Sequence, residues 1–221
     1  MKVFAAVPVK DLVNAKQRLV PVLSAEERRE LAQCMLADVL DALAGARFEE
    51  VYVVTRDAAV MELARRHGVG CLTESANRGH TEAVAFAQHE ALASGALRFL
   101  TVPGDVPCAT AEELSALGDA LGDGPGVAFV PSLSGFGTNG ALLAPPDAMP
   151  LKFGEPSFSN HLEVARDRGW SPRVLPLPGL GLDIDAPEDL GALLERGLPT
   201  RSAALLRRLE VAERLASGLS G

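Results

Sequence analysis

The sequence has few aromatics, little sulfur and no long apolar runs. Aromatic residues fill 5% of the 221 positions, so the core must be built from Ala, Leu and Val, which suits buried parallel strands under aliphatic helices. The three cysteines, Cys34, Cys71 and Cys108, share no C-x-x-C spacing. An odd, scattered set argues against a disulfide framework and a zinc site, and predicts buried thiols in a reducing cytoplasm. No apolar run approaches the roughly 18–20 residues of a membrane span, and the apolar start from Met1 to Pro8 is too short for a signal segment with its cleavage site. Lys and Arg never gather into a dense run and the net charge is −8, which argues against a nucleic-acid-binding surface. What these absences leave is a cytoplasmic protein of small-molecule substrates, with no nucleic acid and no membrane. Pairing into a homodimer is left open.

Hydrophobic residues make up 48% and charged residues 23% of the chain, ordinary values for a globular protein. The length fits one domain, residues 1–221, able to bury roughly 70% of its unfolded surface. Short Val/Ala/Leu runs predict strands at Val3–Val9, Val51–Thr55, Gly70–Thr73, Leu97–Val102, Val127–Pro131, Gly140–Ala144 and Arg173–Leu177. Between them lie helix signatures. Ser24 with Glu27, and Thr110 with Glu113, are cap-plus-acid starts. Leu31, Met35, Val39 and Leu43 recur at helical spacing up to a stop at Gly45. Helices are also expected over Ala58–His67, Thr81–Ser94 and Ser157–Arg168, after Pro187, and as one amphipathic helix over Thr200–Ser217. Alternation of this kind predicts an α/β fold with a mostly parallel sheet between helix layers. The stretch from Val127 to Ala144 has no room for a helix, so one antiparallel strand is expected there.

In open α/β sheets ligands bind beyond the carboxyl ends of strands, and four polar clusters follow strands. Lys10, Lys16 and Arg18, after the first strand, can hold a triphosphate by point charges and a guanidinium fork. No Walker or G-x-G-x-x-G glycines accompany them, and a solvated basic loop reads equally well. Asp105, in Pro103-Gly-Asp-Val-Pro107, points a carboxylate off a strand end and suits a hard cation; taken alone, a turn Asp is the plainer reading. Asp183 and Asp185 are two apart on an extended segment, hence on one face, and their charges repel unless a cation lies between them. Asp185 also fits as the cap of the helix at Pro187. Gly137, Thr138 and Gly154 allow close backbone approach to an anion, and Ser157 stands at a helix start, where free N–H groups favour one; taken alone, turns and a Ser cap are the plainer readings. His161, a turn further on, reads better as a packed histidine; His67, His80 and His89 have no metal-type spacing.

Taken in order, Val7-Pro-Val-Lys10 with Ala15-Lys-Gln-Arg-Leu19, Pro103-Gly-Asp-Val-Pro107, Gly137-Thr-Asn139, Phe153-Gly154 with Ser157-Phe158 and His161, and Asp183-Ile-Asp-Ala-Pro-Glu-Asp-Leu190 resemble the 2-phospho-L-lactate guanylyltransferase family of deazaflavin coenzyme F-420 biosynthesis. That family is related in fold to the molybdenum-cofactor and sugar-phosphate nucleotidyltransferases. No single stretch is specific; the ordered set is. The resemblance implies a Rossmann-like three-layer α/β/α fold of the nucleotide-diphospho-sugar transferase type. It implies transfer of GMP from GTP to 2-phospho-L-lactate, phosphoenolpyruvate or 3-phospho-D-glycerate, with release of pyrophosphate. Asp105, Asp183 and Asp185 would then hold two Mg²⁺ ions. Val7, Lys10, Lys16, Arg18, Gly79, Thr81 and Asp105 would meet the nucleotide, with Lys16 among the catalytic groups. Thr138, Gly154 and Ser157 would contact the acceptor acid.

One stretch departs from the family. Where Gly-Leu-Asn-Ala-Ala is usual, the chain reads Asn77-Arg-Gly-His-Thr-Glu-Ala83, so Thr81 stands in place of an Asn near the nucleotide. A hydroxyl cannot supply the donor and acceptor pair of an amide, which leaves base choice open. The alternatives are a cytidylyl- or uridylyltransferase acting on another phosphorylated small molecule, a glycosyltransferase using a sugar nucleotide, and a nucleotide-binding module without turnover.

Overall fold

A computed structural model describes residues 2–12, 15–74 and 79–218; Asn77 and Arg78, part of the departing stretch, lie outside them. Val3–Pro8 (β1) is buried at all six positions, which its Val-Phe-Ala-Ala-Val run demands. It pairs in parallel with Glu50–Val54 (β2) on one side and Arg98–Thr101 (β4) on the other. Gly70–Leu72 (β3) extends the sheet beyond β2. On the far side Thr138–Ala144 (β6) runs antiparallel to β4 and to Gly126–Pro131 (β5), and Arg173–Val174 (β7) closes that edge beside β5. The sheet order is β3-β2-β1-β4-β6-β5-β7. The one reversed strand falls in the stretch predicted to lack room for a helix.

Helices cover both faces. One face buries Val7, Leu100, Val130 and Leu142 under Ala25–Ala46 (α1), Ala111–Gly118 (α4) and Pro187–Glu195 (α6). The other buries Phe4, Phe99, Phe129 and Leu143 under His80–Ala93 (α3) and Ser157–Asp167 (α5). Ala58–Arg66 (α2) leads into β3. The α1 start is the predicted capping box: Ser24 Oγ accepts the Glu27 N–H, and the Glu27 carboxylate accepts the Ser24 N–H, an arrangement worth about 1 kcal/mol. Among the described residues no helix is long and apolar enough to cross a membrane.

Four expectations need correction. Gly45 does not stop α1, which continues to Ala46 and ends with Arg47 in the left-handed conformation. A Cβ at Gly45 would lie 2.8 Å from the Ala111 Cβ, so this glycine lets α1 and α4 approach. The final helix is two, Arg201–Arg208 (α7) and Val211–Gly218 (α8), separated at Leu209–Glu210 where Glu210 has φ 53°. That break lets α8 turn back onto α6, a tertiary gain that local helix preference cannot reveal. The strand expected at Arg173–Leu177 is only Arg173–Val174. Finally, Cys71 is exposed while Cys108 is buried and Cys34 half-buried, because β3 is an edge strand with its cysteine turned outward.

Candidate active site

The carboxyl ends of β1 and β4 open onto a cavity of about 570 Å³, lined by Pro8, Lys10, Lys16, Arg18, His80, Asp105 and Asp185 among others. Its central feature is an ammonium clasped by two carboxylates. Lys16 Nζ lies 2.6 Å from Asp105 Oδ2 and 2.8 Å from Asp185 Oδ1. The lysine side chain is 9% exposed, against 30% for Asp105 and 49% for Asp185. Burial alone would lower the Lys16 pKa, but the two carboxylates outweigh it and hold the group above its ordinary value, hence charged. The Lys16 backbone is left-handed, φ 55° and ψ 47°, which costs on the order of 1–3 kcal/mol for a side-chain-bearing residue. Two charge-assisted hydrogen bonds of this kind can offset it.

Local structure explains why segments so far apart in sequence meet here. The Ile184 N–H donates to the Asp105 carbonyl at 3.0 Å, tying the two loops together. Ile184 is fully buried, so its extended neighbours Asp183 and Asp185 are both turned toward the rim. Asp185 is not the cap of α6. The Asp189 carboxylate accepts the N–H groups of Asp185 and Ala186, at 2.9 and 2.7 Å, which leaves the Asp185 side chain for Lys16. Asp183 accepts from Asn139 Nδ2 at 3.0 Å. Its pKa is raised, first by burial and further by the like charges of Asp105 and Asp185, with the Asn139 bond opposing. All three predicted aspartates therefore share one rim.

Among the described residues no three His, Cys, Asp or Glu side chains are arranged as a group that could hold a metal ion. The donor chemistry nonetheless fits a divalent cation. Asp105 and Asp185 already converge on one positive centre, Asp183 stands within electrostatic reach of both, and all supply hard oxygen ligands.

Of the predicted nucleotide contacts, Lys10, Lys16, Arg18 and Asp105 line the cavity, while Gly79 lines a smaller adjoining hollow shared with Lys10 and His80. Val7 is fully buried under the cavity floor. Thr81 is turned elsewhere. Its hydroxyl accepts the Phe153 N–H at 3.0 Å and donates to the Phe153 carbonyl at 3.4 Å, fastening the loop that carries Gly154. The cavity is lined instead by His80, given no role by the sequence, whose ring meets Phe153 edge-on at 4.5 Å. Burial pushes His80 down to about 4, so it is neutral at pH 7.

Two of the three predicted acceptor residues meet. Thr138 begins β6 and Ser157 begins α5, and the Ser157 hydroxyl donates to Thr138 Oγ1 at 3.3 Å. His161 joins them, with Nδ1 3.0 Å from the same Thr138 oxygen. It is packed, as expected, at 1% exposure, and burial pushes it down to about 4. Gly154 has φ +113° with open space where a Cβ would stand, so glycine serves the backbone turn there rather than close packing. Asn139 is the residue that sequence reasoning passed over. Its place beside Thr138 in the Gly-Thr-Asn-Gly run was the available signal.

Comparison with known proteins decides the family. The description "Guanylyl transferase CofC like" matches residues 1–218. The chain belongs to this family. Within it, the chain is 41% identical to a phosphoenolpyruvate guanylyltransferase of Rubrobacter xylanophilus over 89% of this chain and 96% of that one. It is 36% identical to a 2-phospho-L-lactate guanylyltransferase of Methanothermobacter thermautotrophicus over 95% and 92%. A crystal structure described as a nucleotide-diphospho-sugar transferase, from Desulfovibrio desulfuricans G20, superposes with a TM-score of 0.79 over 98% of this CofC-like chain and 97% of its own, at 19% identity. That likeness bears out the three-layer α/β/α fold.

Proposed function

We propose that this CofC-like chain transfers the guanylyl group of GTP to a phosphorylated three-carbon acid and releases pyrophosphate, as a step toward coenzyme F-420. Phosphoenolpyruvate is the first acceptor to test, because the relatives bearing that name reach 41% and 42% identity against 36% for the 2-phospho-L-lactate enzyme. The observation that carries the reading is the Lys16 ammonium held by Asp105 and Asp185 at the mouth of a cavity that also receives Lys10 and Arg18.

In the reaction, an acceptor phosphate oxygen attacks the α-phosphorus of GTP in line with the leaving group. A P–O bond to the acceptor forms as the bond to the bridging oxygen breaks, and that electron pair leaves on pyrophosphate. The acceptor is already anionic, so the chain needs no strong base. Lys10, Lys16 and Arg18 bind the triphosphate oxygens and hold them in line. Thr138, Gly154 and Ser157 take the acceptor. Asp105 and Asp185, with Asp183 beside them, would hold Mg²⁺, which when bound screens the approaching anions and the departing pyrophosphate. With the Thr81 hydroxyl committed to Phe153, His80 takes its place as the ring beside the nucleotide.

The test is pyrophosphate release from GTP, CTP, UTP or ATP, each with phosphoenolpyruvate, 2-phospho-L-lactate or 3-phospho-D-glycerate, in a cytoplasm-like Mg²⁺ buffer. GTP with one of these acids is expected to dominate. Preference for CTP or UTP would overturn the base assignment, and GTP binding without turnover on any acid would overturn the enzyme reading.

A further inference from the structure

The hydrogen bonds around His161 fix more than its packing. The Lys152 N–H donates to His161 Nε2 at 3.0 Å, so that nitrogen carries no proton. Either the imidazolium or the Nε2–H form would set two N–H groups against each other. The ring proton is therefore on Nδ1, and it is donated to Thr138 Oγ1 at 3.0 Å. The Ser157 hydroxyl donates to the same oxygen at 3.3 Å. A hydroxyl has two lone pairs and one proton. Both lone pairs of Thr138 are filled, so its own proton must point out of this triangle.

The ring is held against reorientation. It stacks on Phe129 with centroids 5.5 Å apart and planes at 11°, and it meets the edge of Phe153 at 5.2 Å. His161, Thr138 and Ser157 are 1%, 6% and 2% exposed, so water is largely kept from competing. Ser157 is also the first residue of an 11-residue helix, whose opening N–H groups have no partner within the helix.

We propose that His161 is a positioning residue for the acceptor: as a neutral Nδ1–H donor it locks the Thr138 hydroxyl so that its one proton is presented to the carboxylate of the three-carbon acid. This rests on the acceptor reading given above and deepens it. The carboxylate is the group concerned because the acid's phosphate has to face the Lys16 and Asp105 rim. Adjacent strand residues divide these duties, since Thr138 faces His161 while Asn139 faces Asp183. A neutral donor set recognises a carboxylate by direction, and a site built this way rejects analogues that leave its donors unpaired.

The test is steady-state kinetics with GTP and phosphoenolpyruvate. His161→Phe keeps the ring's shape but removes the donor, and is expected to raise the acceptor KM about tenfold, the equivalent of one hydrogen bond, with the GTP KM within about twofold. His161→Asn, whose amide N–H can stand near Nδ1, should recover most of that loss. Thr138→Val should raise the acceptor KM at least as much as His161→Phe. If Thr138→Val leaves the acceptor KM unchanged, the acceptor does not bind here and the underlying reading fails. If Thr138→Val raises it and His161→Phe does not, only the role of His161 fails. Equal damage to both KM values and kcat in a folded His161→Phe would also overturn it. Independent of any variant, ¹⁵N spectra of the histidine-labelled wild type should show His161 protonated at Nδ1 and bare at Nε2; the reverse tautomer would end the proposal.

Discussion

Thr138 and Asn139 are consecutive, yet they belong to opposite kinds of site. Thr138 faces a buried set of neutral groups in which each visible lone pair and proton has an assigned direction. Asn139 faces a half-exposed set of charges, bonding Asp183, which stands beside the two carboxylates that clasp the Lys16 ammonium. The difference follows from what each half has to do. A neutral relay can be finished before substrate arrives, because filling its hydrogen bonds costs no charge burial. Carboxylates meant for a cation cannot be left alone without repulsion, so they need a resident positive group, and Lys16 supplies it. One half is set by packing, the other by charge balance.

The sharpest way to break the comparison is to remove the packing. Phe129 is fully buried and supports the His161 ring. Phe129→Ala should cost about 3–5 kcal/mol of stability by urea unfolding, and should raise the acceptor KM before the GTP KM changes. A loss below about 1 kcal/mol would mean the relay is not framed by the core. Removing charge from the other half should do the reverse. Asp105→Asn should lower kcat/KM by about 10²–10³-fold, the scale seen when a group stabilising developing charge is lost, while the melting temperature moves by only a few degrees. Normal turnover in that variant would remove Asp105 from the cation site.

How far these halves could be read from sequence differs in the same way. The strands and most helix starts were legible because they depend on local periodicity and caps, such as Ser24 with Glu27. Asp105, Asp183 and Asp185 were legible as carboxylates following strands or an extended run. That Lys16 sits between two of them was not, because it depends on the Ile184 to Asp105 backbone bond across distant segments. The start of α6 differs for a similar reason: Asp185 fits a cap by position, but in the fold Ala186 takes that place while Asp189 reaches back to the N–H groups of Asp185 and Ala186. Gly45 and the Glu210 break are likewise tertiary choices. His161 was read as a packed histidine, which it is, but its tautomer needs Lys152, nine residues upstream and on another segment.

A smaller effect probes the buried half by pH. The His161 pKa falls from 6.5 to about 4 on folding, through burial. The folded chain therefore resists a proton that the unfolded chain accepts, so this contribution is complete above pH 6.5 and is lost as pH falls through about 4. It amounts to at most about 3 kcal/mol. Stability measured by urea from pH 7 to pH 4 should decline in the wild type and decline less in His161→Phe. An identical slope in the two proteins would show that His161 is not the group being protonated.

The smallest expected effect asks whether burial is what distinguishes the Lys16 cluster from an ordinary ion pair. Glu27 and Arg214 are 2.9 Å apart with side chains 21% and 38% exposed, and the Glu27 pKa is lowered to about 2, first by Arg214 and then by the Ser24 N–H. A depressed carboxylate stabilises above its unfolded value of 4.5, and that stability disappears as pH falls through about 2. Arg214→Ala leaves the Ser24 bond in place, so it should cost little stability at pH 7. The difference from wild type should shrink toward zero at pH 2 and in roughly 1 M salt, where the screening length is about 3 Å. Activity should be unaffected, since this pair ties α8 to the start of α1 and neither residue lines the cavity. If Arg214→Ala instead matched the consequences of Asp105→Asn, exposed and buried ion pairs in this protein would be equivalent, and the shielding of Lys16 would not set its cluster apart from an ordinary ion pair.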